Sequence, residues 1–237
     1  MNCKHCNTAV ANAFCGYCGT PVTLKRVDSH YIIHEVMHVL HFEKGILYTI
    51  RELLVRPGES IRRFLTEDRS RLIKPVIFLI ISSLLYTLVT HFFHIEKDHI
   101  VSDATKYATF AAITEWIENH YGYANIIMGL FIGTWLRLFM RKSGYNFYEI
   151  LIALCFVIGI GMLIYTVFAL VQGLSGINMK LVSECVTLIY CMWAIGQLLG
   201  GKRVKGYILC LAGYLLGIVS FWMTVELLAA LVDRFKH

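Results

Sequence analysis

Five long apolar runs fill the chain after residue 75, near 75–94, 124–141, 147–172, 181–200 and 206–232. A helix crosses the hydrocarbon of a bilayer with about 20 apolar residues, so each run reads as a transmembrane helix. The second is the shortest, with Arg137 close to its end. Ahead of these runs the pattern is amphipathic. Stepped at about 100° per residue, Ile33, Val36, Met37 and Leu40 gather on one side, and His30, His34, His38 and His41 gather roughly a quarter-turn round. Asp28 or Ser29 stands where a cap is needed for a helix starting near His30. Arg56-Pro57-Gly58 interrupts the helical pattern, because proline removes a donor and restricts the residue before it. A second, basic helix resumes over Glu59–Arg71. Between the first two apolar runs, Asp103–Tyr121 predicts an amphipathic helix on the outer surface, with Ala108, Ala111, Ala112, Ile113, Trp116 and Ile117 as its apolar side.

Composition agrees with that pattern and removes the soluble classes. Mean hydropathy is +0.61, and 57% of residues are hydrophobic against 16% charged. The formal charge of +6 is concentrated near the ends of the apolar runs, which points to topology and lipid contact rather than nucleic acid. Lys and Arg crowd the segment before Pro75, the 141–147 connection and the 200–206 connection. The 95–123 loop has Lys97 and Lys106 against Glu96, Asp98, Asp103, Glu115 and Glu118. The positive-inside rule therefore places the N-terminus, 141–147 and 200–206 in the cytoplasm, and the 95–123 loop and C-terminus outside. Arg234 and Lys236 in the outer tail run against the rule. Residues 1–30 contain no apolar signal core, which agrees with a cytoplasmic head on a protein of the inner cell membrane.

The head carries its own chemistry. Cys3-x-x-Cys6 and Cys15-x-x-Cys18 have the spacing of two knuckles that aim four thiolates at one tetrahedral zinc ion. Gly16 and Gly19 supply the backbone freedom the second knuckle needs. A module of this length buries too little to fold alone, so the metal supplies its folding energy. Four thiolates leave no open coordination position, making the zinc structural. The competing disulfide reading is disfavoured in a reducing cytoplasm. Cys155, Cys185, Cys191 and Cys210 fall inside apolar runs and read as small buried hydrophobes.

His34-Glu35-Val36-Met37-His38 matches a zinc-protease pattern. On a helix His34 and His38 are one turn apart and can share a zinc ion, with Glu35 as general base for its water. Such a centre needs a third ligand, and none is specified here. The same stripe of histidines is what the polar flank of an interfacial helix looks like. Arg62, Arg63, Arg69, Arg71 and Lys74 sit just before the first span, where they can hold anionic headgroups or simply fix orientation. Among the polar residues of the spans, Glu149 and Arg137 are placed to pair near the inner face. His91, His94, Glu184 and Glu226 fall near the outer face. They form a candidate cluster for a metal or a proton; the plainer reading is that each reaches water at the interface.

Gly45, Thr49, Leu53, Arg56-Pro57-Gly58, Ile61, Leu65, Arg69 and Pro75 resemble the signature of an uncharacterised bacterial membrane family. That resemblance implies an N-terminal zinc ribbon, a collar of this kind and several spans, with no assigned activity. The sequence departs from it at Phe64 and Glu67-Asp68, where an aromatic Tyr and a Gly are common. The layout of five spans behind a cytoplasmic head is also similar to that of Yip-type membrane trafficking proteins.

The expectation is an all-α membrane protein with five transmembrane helices, preceded by amphipathic interfacial helices and a small zinc ribbon. Its domains are a zinc ribbon over 1–24, a basic collar over 25–74 and a five-span domain over 75–237. The leading function is a non-enzymatic adaptor or organiser, its ribbon and collar recruiting a cytoplasmic protein partner beside membrane lipid. The alternatives are a membrane metalloprotease using His34, Glu35 and His38, and a small transporter or channel using Glu184 and Glu226. Metal analysis of the purified protein tests the head: Cys15→Ser is expected to release zinc and unfold the module while the spans stay inserted. Stoichiometric zinc retained by that variant, with no other site found, overturns the assignment.

Overall fold

A computed structural model describes residues 8–9, 16–17, 45–69, 71–95, 108–200 and 204–236. Cys3, Cys6, Cys15, Cys18 and the His34–His38 motif lie outside the described residues. The chain divides into two units, Met1–Glu43 and Lys44–His237. The architecture below is that of the second.

Helices follow the polarity pattern closely. In the segment before the spans, α1 covers Ile46–Val55 and α2 covers Pro57–Thr66. The spans are α3 (Pro75–Phe92), α5 (Tyr121–Phe139), α6 (Phe147–Ser175), α7 (Lys180–Ile195) and α8 (Val204–Lys236). Between α3 and α5 lies α4, Ala108–Asn119. A π turn over Gly196–Gly200 continues α7. The five spanning helices are long and apolar enough to cross a membrane, so this is a multi-pass membrane protein. Some ends lie outside the apolar runs. α6 continues past residue 172 to Ser175, because backbone hydrogen bonding runs on until Gly176 turns left-handed at φ 70° and caps it.

The centre of the bundle is α6. It carries no charged residue between Ile150 and Ser175, and an element apolar all round is stable only when surrounded. Its closest neighbour is α3; α5 and α7 flank it, and α8 packs on α5. Phe156 of α6 is fully buried, with its ring 5.1 Å from Phe64 of α2 and 6.1 Å from Phe78 of α3. One aromatic column thus joins the segment before the spans to the bundle core. The outward faces of α3, α7 and α8 keep Leu84, Leu88, Leu181, Ile189, Leu227 and Leu228 exposed, as lipid requires.

Inside a bilayer, apolar burial drives helices together weakly, since lipid tails are as apolar as leucine; close packing and polar contacts decide instead. Trp135 Nε1 donates to Ser220 Oγ at 3.2 Å, joining α5 to α8. Asn125 Nδ2 donates to Ser83 Oγ at 3.3 Å, joining α5 to α3. The Thr109 hydroxyl donates to the Asp233 carboxylate, tying α4 to the end of α8. α4 turns Phe110, Ile113 and Ile117 inward, with Ile117 buried against Ala124, Phe221 and Val225, while Ala111, Ala112 and Trp116 stay exposed. The expected helix is present and packs on α5 and α8 through part of its expected apolar side.

Gly217 is where α8 crosses α5. A Cβ there would run into the Ile132 backbone, with its nitrogen 2.8 Å away, whereas a Cβ at Gly129 would meet only Ile158 Cδ1 at 3.8 Å. Gly217→Ala is expected to destabilise the detergent-purified protein by about 1–3 kcal/mol through overpacking. Gly129→Ala is expected to be neutral or to stabilise by up to about 1 kcal/mol through helix propensity. Thermal melting of the two variants beside the parent checks the contrast.

Candidate functional site

Two places stand out, one at the end of the bundle that carries α1 and α2 (the collar end) and one at the opposite, distal end. The first is built around Arg56-Pro57-Gly58, where α1 stops and α2 begins. Pro57 occupies the first position of α2, where its missing N–H costs that helix nothing. It costs α1 a donor, however: the Leu53 carbonyl would take the N–H of residue 57, and proline has none. The Tyr190 hydroxyl supplies the missing bond, donating to Leu53 O at 3.1 Å from the middle of α7. One residue on, Gly58 N–H is an unpaired donor of the first turn of α2, and it donates to Gln197 Oε1 of the π turn at 3.3 Å. A Cβ at Gly58 would approach the Gln197 backbone carbon to 2.8 Å, so glycine is what lets the two elements meet. Ser60 Oγ donates to Glu52 Oε2 at 3.0 Å, and Ile73 N–H donates to the buried Thr49 Oγ1 at 3.2 Å.

The inner side of this corner is apolar, with Leu53, Ile61, Phe64 and Leu65 buried. Its outer side is basic. Arg63 pairs with Glu59 at 2.6 Å, Arg62 Nε donates to the Tyr145 hydroxyl at 3.2 Å, and Arg71 Nε donates to the Tyr48 hydroxyl at 3.0 Å. The Tyr48 bond pushes the Arg71 guanidinium pKa further up from its already high value. Leu47, Leu54 and Val55 of α1 are exposed as well. The face that results, basic with apolar points, is what an interfacial surface presents to headgroups or to a protein.

At the distal end, a partly open cavity of about 660 Å³ lies among α3, α5, α6, α7 and α8. Its floor is formed by Cys191 and Tyr214, whose hydroxyl donates to the Cys191 sulfur at 3.5 Å. On the collar side of that contact α7 and α8 touch through Ile195 and Cys210 and through Gly196 and Tyr207. On the distal side they part, and Thr187 of α7 faces the cavity opposite Ile218 and Trp222 of α8. Three tyrosines form one wall: Tyr86 lies 5.1 Å from Tyr121 and 6.0 Å from Tyr165 between ring centroids. Glu118, Lys180 and Glu184 reach the lining nearest the distal end.

The residues singled out from sequence are distributed differently. Glu149 does not pair with Arg137. It completes a capping box at the start of α6, accepting from Asn146 N–H at 2.7 Å while its own N–H donates to Asn146 Oδ1 at 2.9 Å. Arg137 Nη1 donates instead to the Tyr145 carbonyl at 3.1 Å. His91 and His94 stack on each other at the end of α3, 6.3 Å apart between ring centroids. Glu184 lines the cavity and Glu226 is exposed on α8. These four do not assemble, and among the described residues no group of three His, Cys, Asp or Glu is placed to hold a metal. Cys191 and Cys210 are buried as expected of small hydrophobes, Cys155 is half-buried, and Cys185 is exposed. Sequence reasoning passed over Tyr190, Gln197 and the tyrosine wall. The available signal was polarity inside apolar runs: Tyr190 and Gln197 are seven residues apart on one helical face.

Tyr190→Phe leaves a carbonyl inside the corner without its donor and is expected to cost about 1–3 kcal/mol. Gly58→Ala pushes the π turn away and is expected to cost a similar amount, about 1–3 kcal/mol. Because both act on one corner, the double variant is expected to lose less than the sum of the two. Melting curves for the single and double variants measure the coupling.

Residues 43–87 are similar to a family described as a protein of unknown function, DUF3667. No curated protein and no solved structure matches the chain. The matched segment contains α1, α2 and most of α3, and so includes the Arg56-Pro57-Gly58 corner.

Proposed function

We propose that this protein is a non-enzymatic membrane organiser, in which the collar and a zinc ribbon recruit a cytoplasmic protein partner to the inner cell membrane. The observation that carries the reading is the corner between α1 and α2: its backbone is bonded to α7 by Tyr190 and to the π turn by Gln197, while its basic face stays exposed. A helix pair held this firmly is a platform rather than a hinge. The lysines and arginines around it set that face in the cytoplasm under the positive-inside rule, with the C-terminus outside. In this reading zinc on Cys3, Cys6, Cys15 and Cys18 folds the head as a second recruiting module. A second reading, transport, draws support from the distal cavity. Against it, Phe78, Phe156, Leu154, Ile132 and Leu136 are packed without exposure between that cavity and the collar end.

Site-specific photo-crosslinking from position 54 in intact membranes tests the proposal. A discrete protein adduct is expected, lost in Cys15→Ser and retained in Glu35→Gln. Adducts to lipid alone overturn recruitment. Accumulation of an uncleaved partner in Glu35→Gln would replace the organiser with a metalloprotease using His34, Glu35 and His38.

A further inference from the structure

The distal cavity has no part in the platform, and its shape and lining say what it takes. It lies within the spans, walled by all five spanning helices, and its floor at Cys191 and Tyr214 is where α7 and α8 close. Beyond that floor the two helices diverge. Trp222 and Glu184 line the cavity and are both exposed, so it communicates with the outside of the bundle. A volume of about 660 Å³ is that of a pocket for one small ligand, not of an aqueous passage.

The lining is graded. Met128, Ile158, Met162, Leu188 and Ile218 make the inner surface apolar. Hydrogen-bonding groups without charge, the tyrosine wall with Asn125, Gln172 and Thr187, cover one side. The charged lining residues are Glu118, Lys180 and Glu184, a formal excess of negative charge that disfavours an anionic head. The Asn125 amide is already bonded to Ser83 and Gln172 Oε1 accepts from Met179 N–H, but the buried Thr187 hydroxyl has no partner among the described residues, and a ligand hydroxyl that bonds it removes the cost of leaving it unpaired.

We propose that the distal cavity binds one membrane amphiphile with an apolar chain and an uncharged hydroxyl head, taken sideways from the bilayer between α7 and α8. The chain lies against Ile158, Met162 and Ile218, and the head bonds the tyrosine wall. Ala169, buried at 7% exposure in the lining, keeps the space for it.

The test uses the full chain in phosphatidylcholine vesicles with trace photoactivatable hexadecanol, and the matching hexadecanoic acid and hexadecane probes beside it. Saturable labelling is expected between Ser183 and Cys191 of α7 and between Tyr214 and Trp222 of α8, with the alcohol favoured over the acid by about tenfold. Ala169→Trp is expected to cut alcohol labelling by about tenfold. Tyr165→Phe is expected to weaken the alcohol several-fold and leave the alkane unchanged, which a general loss of structure would not do. Where Ala169→Trp fails to fold, competition by unlabelled hexadecanol in the parent and the Tyr165→Phe contrast decide alone. Preference for the acid, or unsaturable labelling spread along Leu84 and Leu227 on the lipid face, overturns the proposal.

Discussion

The structure depends on one missing hydrogen. Pro57 cannot donate to the Leu53 carbonyl, so α1 ends with a gap in its ladder at a point buried against the spans. The gap is closed from far along the chain by the Tyr190 hydroxyl, and the neighbouring Gly58 N–H is closed by Gln197. A carbonyl or amide left unpaired in such a place would cost more than a typical hydrogen bond contributes. The proline that breaks the helix therefore also creates the demand that fastens the collar to α7. Glycine beside it removes the side chain that would hold the two apart.

From that fastening the rest of the packing follows. With α2 seated on the π turn, Phe64 reaches Phe156, and Phe156 reaches Phe78. This column fills the collar half of the bundle around α6. The same seating holds the collar end of α7 close to α8, where Gly196 admits the Tyr207 ring. Two long helices pinned at one end separate at the other unless their faces mesh. Here the distal halves do not mesh, and the cavity is the space that results.

The division between a dense half and a hollow half also explains where polar side chains fall. In the dense half Tyr190, Gln197 and Thr49 serve the backbone, completing helix ends or a loop amide. In the hollow half Tyr86, Tyr121 and Tyr165 touch one another instead. A polar group in a span is costly in lipid, so residues of this kind mark either a structural debt or a ligand.

Much of this was legible in the chain. Apolar runs longer than a bilayer is thick must be helices, because no other open structure satisfies its own backbone there. That physical necessity set the spans at Pro75, Tyr121, Phe147, Lys180 and Val204 to within a few residues of the apolar runs. Arg56-Pro57-Gly58 announced a break for an equally local reason. Pairings were not legible. Glu149 and Arg137 look like partners along the chain, yet each finds a nearer backbone group. His91 and His94 meet at the end of α3, but Glu184 and Glu226 stand on α7 and α8 and do not join them. Sequence determines depth and periodicity, which depend on a residue and its near neighbours. Which face of one helix meets which face of another is settled by fit across the whole bundle. The Tyr190 bond spans 137 residues and the Gly58 bond spans 139, so only tertiary structure could bring those partners together.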